Sequence, residues 1–120
     1  MKRTIKMAVL AGMIASGAAA QGLTRVSDEA AFNQMVAGKQ LRLGLMGIAL
    51  TVSPDGTISG TASGYDVTGT WSWQDGYFCR EMSWGGTPIP YNCQLVEAGG
   101  GQIRFVSDQG SGDDATFNLR

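Results

Sequence analysis

The 120-residue chain contains no histidine. That absence removes imidazole acid/base catalysis, Ser-His and Cys-His nucleophiles, and zinc sites built from Cys and His together. Cysteine is scarce: Cys79 and Cys93 are the whole complement, and they lack the C-x-x-C spacing of a redox pair. Positive charge is also scarce. Beyond residue 20 there are six Lys and Arg against ten Asp and Glu, a net charge of −4, which argues against a nucleic-acid partner. No apolar run approaches the roughly 20 residues that span a bilayer. The glycine cluster Gly99-Gly100-Gly101 matches neither G-x-G-x-x-G nor a P-loop and does not join a strand to a helix, so no nucleotide cofactor is expected.

The N-terminus is informative. Lys2, Arg3 and Lys6 precede a short apolar run from Met7 to Ala15, and small residues follow as far as Ala18-Ala19-Ala20 before Gln21. This layout predicts a cleaved signal peptide over 1–20 and a single domain over 21–120, periplasmic or secreted, with no membrane span after cleavage. The first cysteine is Cys79, which excludes lipid attachment to an N-terminal cysteine. An oxidising compartment makes Cys79 and Cys93 a disulfide. Closing a loop of that size contributes about 3 kcal/mol in the chain-entropy model.

The mature chain reads as mostly β. Ser27 is a suitable N-cap, Asp28 and Glu29 suit a first turn, and Phe32, Met35 and Val36 form one stripe before Gly38, predicting a short helix over 28–37. After it, Leu41, Leu43 and Leu45 alternate, as do Ile48, Leu50 and Val52, and Pro54-Asp55-Gly56 marks a turn into 57–62. In 65–74, Tyr65, Val67, Gly69, Trp71 and Trp73 share one face. Asp75-Gly76 is a two-residue hairpin signal that sets Trp73 opposite Phe78, Trp71 opposite Arg80, Gly69 opposite Met82 and Val67 opposite Trp84, with Arg80 able to lie over Trp71. Cys79 then falls on the other face, although Ile89, Tyr91, Cys93 and Leu95 alternate together on the cysteine side. Either a bulge between Arg80 and Gly86 swaps the faces, favoured by Gly85-Gly86, or the helix covers the second face. Strands with Ile103 and Phe105, then Ala115, Phe117 and Leu119, inward complete a seven- to eight-stranded antiparallel meander. It closes into a small barrel or folds into a roll.

Three residue sets carry candidate chemistry. Tyr65, Trp71, Trp73, Tyr77 and Trp84 suit either a ligand-stacking surface or the core, and clean alternation around Trp71 and Trp73 favours core. For ligand contact the candidates are Trp84, Tyr91, Tyr77 and Arg80. Asp108 to Asp114 concentrates three carboxylates among glycines without EF-hand spacing, so it reads as a solvated turn, and no metal ligand is assigned. Asp66, Glu81 and Asp75 could supply a carboxylate pair for glycoside hydrolysis, and Asp66, Glu81 and Asp113 are the acids to test for any enzymatic role; Glu81 beside Tyr91 suits a buried hydrogen-bonded pair instead.

The runs 51–60 and 67–80, with Tyr91-Asn92-Cys93-Gln94 and 103–108, resemble a family of small exported alphaproteobacterial proteins that often carry the name dihydrodipicolinate reductase. That reductase is a cytoplasmic NAD(P)H enzyme with a βαβ dinucleotide domain, a glycine fingerprint, a pair of histidines and a second domain. None of these is legible here, so no catalytic residue is carried over. Gly69-Thr70-Trp71 is also similar to the G-x-W of calycin-like barrels, where it sits on the first strand rather than mid-chain.

These readings converge on a non-catalytic binding or envelope-associated module for an unidentified periplasmic ligand or protein. The alternatives are a secreted inhibitor of a protease or lysozyme acting through Gly85 to Pro90, and an enzyme. Mass spectrometry of the exported protein should find a chain beginning at Gln21 and two hydrogens lighter than its reduced form; an uncleaved chain with free thiols would contradict the export reading.

Overall fold

A computed structural model describes residues 22–120; the expected signal peptide over 1–20 lies outside them. The elements are β1 (Thr24–Val26), α1 (Glu29–Val36), β2 (Leu41–Leu43), β3 (Ile48–Val52), β4 (Thr57–Ala62), β5 (Tyr65–Gln74), β6 (Tyr77–Trp84), β7 (Thr87–Gly99), β8 (Gln102–Val106) and β9 (Asp114–Leu119). Each strand from β2 to β9 pairs antiparallel with its successor, and β9 returns to β2, so eight strands close a barrel. β1, which no alternation signalled, adds to β7 through Thr24↔Ala98 and Val26↔Val96, beyond the stretch that pairs with β6.

The β5–β6 hairpin has the register that Asp75-Gly76 demands. Both turn residues take positive φ, and all four expected pairs, from Trp73↔Phe78 to Val67↔Trp84, are present. At Gly69 a Cβ would lie 2.8 Å from the Met82 side chain and 2.5 Å from the Glu81 carbonyl oxygen, so only glycine allows the strands to approach here.

The conflict between the two faces is resolved by a bulge. Arg80 pairs with Asn92 but Met82 pairs with Ile89, so β7 carries one extra residue opposite Glu81. Cys93 therefore stays beside Cys79, to which it is disulfide-bonded, while Ile89 is carried to the lumen side. The extra residue lies at 90–91 rather than at Gly85-Gly86, which instead makes the tight β6–β7 turn.

Helix α1 departs from expectation in two ways. Its N-cap is Asp28, whose Oδ2 accepts from the Ala31 N–H at 3.1 Å, whereas Ser27 offers its carbonyl to Trp73 Nε1 at 3.2 Å. The helix also covers neither face of the sheet. It plugs one end of the barrel, where Phe32, fully buried, meets Trp71, Trp73, Phe78 and Phe105 with ring centroids 5.1–6.4 Å apart. Closure itself encloses the inner face of the sheet, and the helix caps an end of it.

Leu45 does not continue β2. The strand stops at Leu43, residues Gly44–Met46 form a 3-10 turn ended by left-handed Gly47, and Leu45 is fully exposed. The closing seam is consequently short. β2 and β9 pair only at Leu41↔Leu119 and Arg42↔Asn118, extended by reciprocal backbone hydrogen bonds between Gln40 and Arg120 of 2.9 and 3.1 Å.

Phe32→Ala should cost about 3–5 kcal/mol, as expected for truncating a buried phenylalanine. Urea unfolding of the oxidised protein measures this; a loss below about 1 kcal/mol would mean that the helix is not seated in the barrel.

Candidate functional site

The lumen above the Phe32 plug is not filled. A cavity of about 160 Å³ remains, walled mainly by apolar side chains that include Leu50, Ile58, Met82, Phe105 and Phe117. Its floor is aromatic, since Phe78 and Phe105 both pack on Phe32 and Phe105 meets Phe117 at 6.0 Å. Ala115, also in the wall, is exposed, so the lumen reaches solvent beside β9. This is where Asp114–Phe117 continue past the two-pair seam without a β2 partner.

Two polar side chains enter the wall, Arg80 and Gln94. Gln94 is buried and directs Nε2 at Ser107 Oγ, 3.3 Å away. Arg80 comes from the lumen face of β6, half-buried, and its Nη1 donates to the Pro90 carbonyl at 2.7 Å. The bulge places Pro90 outside the regular ladder, which leaves that carbonyl for the guanidinium. Desolvation lowers the Arg80 pKa from its ordinary value, although a guanidinium stays charged at neutral pH. Arg80 does not lie over Trp71; the cation–π contact among the described residues is Arg25 over Tyr77, 4.8 Å from the ring centroid.

The four expected contact residues therefore fall on different surfaces. Arg80 faces the lumen. Trp84 has the same parity but sits at the rim, 39% exposed, edge-on to Tyr65 at 5.7 Å and donating from Nε1 to the Ala62 carbonyl at 2.8 Å. Tyr91 is on the outer face beside the disulfide, its hydroxyl 3.3 Å from Cys93 Sγ and accepting from Gln74 Nε2 at 3.3 Å. Tyr77 lies at the plugged end under Arg25. Trp71 is in the core and Trp73 is half-buried against it, the side to which their alternation pointed.

The acids do not assemble. Asp66 and Glu81 are exposed on the outer face, and Glu81 pairs across from Thr70, four residues along β5 from Asp66. That is about 13 Å of strand, beyond the roughly 5–9.5 Å used in glycoside hydrolysis. Glu81 makes no hydrogen bond to Tyr91 among the described residues; both are exposed. Asp113 lies in the β8–β9 connection, where its carbonyl accepts from Ser107 N–H. In the same connection Asp108 pairs with the Asn92 amide, accepting at 2.8 Å and donating its own N–H at 2.9 Å. Among the described residues no group of three or more His, Cys, Asp or Glu is placed to hold a metal ion. Gly85 to Pro90 is not a free loop, since Thr87 and Pro88 already pair with Trp84 and Ser83.

Met82, Gln94, Phe105 and Phe117 line the cavity without having been singled out as ligand contacts. Alternation puts Phe105 and Phe117 inward, but only the closed barrel shows that inward side chains leave space. Comparison with protein-family models, with curated proteins and with solved structures finds no match to this chain.

Trp84→Ala should leave a cooperatively folded protein, losing about 1–2 kcal/mol for one hydrogen bond and one aromatic contact at the rim. Thermal and urea unfolding followed by near-ultraviolet circular dichroism checks this. Loss of cooperative unfolding would place Trp84 in the core.

Proposed function

We propose that this chain is an exported, non-catalytic binding module that takes a small, largely apolar molecule into the barrel lumen. The observation that carries the reading is the cavity of about 160 Å³ above the Phe32 plug, apolar on nearly every side and open to solvent at Ala115. A space of about 150 Å³ is large enough to admit benzene. It is well below the roughly 300–1,000 Å³ of pockets that take drug-sized ligands, so the ligand is small. Asp66, Glu81 and Asp113 stand outside the cavity wall, which supports binding over hydrolysis. Export is supported by the layout of 1–20 and by the Cys79–Cys93 disulfide. No helix among the described residues is long and apolar enough to cross a membrane.

Titration with benzene, followed by heteronuclear NMR, should give saturable shifts confined to residues such as Ile58, Met82 and Phe117. Ala115→Phe, which places a ring at the opening, should weaken those shifts by about ten-fold or more while preserving the fold. Shifts that never saturate, or that survive unchanged in Ala115→Phe, would overturn the reading.

A further inference from the structure

The wall of the cavity holds a cation, Arg80, that has no ion-pair partner among the described residues. Arg80 lines a mostly apolar lumen, and the hydrogen bond that its guanidinium makes among the described residues is the one to the Pro90 carbonyl. The single ion pair among those residues is Arg104 with Glu97, on the β7–β8 ladder. The Pro90 carbonyl engages one of the five donors of this half-buried guanidinium, and the described residues supply no carboxylate for the rest. A planar fork of donors beside an apolar space the size of a benzene ring suits a molecule with a carboxylate at one end and an apolar body at the other.

The geometry points to a small monocarboxylate as the ligand class, its apolar body resting on the Phe78–Phe105–Phe117 side of the lumen and its carboxylate held by Arg80. This inference rests on the lumen being a binding site, and it names which chemistry that site selects. Arg80 sets the specificity; Gln94, whose amide is already engaged with Ser107, completes the polar side of the wall.

Benzoate and benzamide separate the two levels of the reading, because they match in size and differ in charge. Calorimetry on the full mature protein should show benzoate binding about 10- to 100-fold more tightly than benzamide, the worth of a charge-assisted hydrogen bond. In Arg80→Met that preference should vanish, benzoate affinity falling to about that of benzamide. The Arg80 Nε–H resonance of the unmodified protein gives a readout that needs no variant: it should shift further downfield on saturation with benzoate than with benzamide. Equal affinity for the two compounds, or an Arg80 resonance unmoved at saturating benzoate, would overturn the carboxylate inference and leave lumen binding standing. Failure of both compounds to bind would overturn the binding reading itself.

Discussion

The insertion of Phe32 into one end of the barrel is the contact on which the rest of the structure depends. An eight-stranded barrel is just wide enough for its own side chains to fill. Here the strands point Trp71, Phe78 and Phe105 inward near one end, and a helix entering from outside supplies the ring that completes them. The aromatic layer closes that end. Beyond it the inward residues are smaller or more slender, such as Ile58, Met82, Gly69 and Ala115, and the lumen stays partly empty.

The bulge in β7 links structure to chemistry. One added residue opposite Glu81 keeps Cys93 on the outer face for the disulfide and brings Ile89 inward. It also leaves the Pro90 carbonyl to receive Arg80. The guanidinium is thereby anchored by one donor. The short β2–β9 seam has a comparable double effect. Gly44–Met46 ends β2 early, so β9 extends past it and the wall opens at Ala115.

The fold was legible where local chemistry decides the outcome. Asp75-Gly76 demanded its hairpin, and with it the registers that place Arg80 and Trp84 on the lumen side. Phe32, Met35 and Val36 announced the helix, and alternation, turn signals and the hairpin register together announced seven to eight antiparallel strands. What was not legible depends on contacts distant in the chain. A three-residue strand such as Thr24–Val26 carries no periodicity, and the helix becomes a plug only because the sheet closes. Tyr91 and Tyr77 are candidates for ligand contact together with Arg80, but strand parity and hairpin length send them to other surfaces. The cavity was the least accessible feature, because it is a volume left over after packing and no single residue encodes it.

Intermolecular NOEs between benzoate ring protons and protein side chains test the account most directly. The account predicts contacts to the side chains of Val52, Ile58 and Met82, which line the lumen, and none to the outward methyls of Thr68 and Thr70. Contacts to those threonines, with none to the lumen at saturating benzoate, would contradict it.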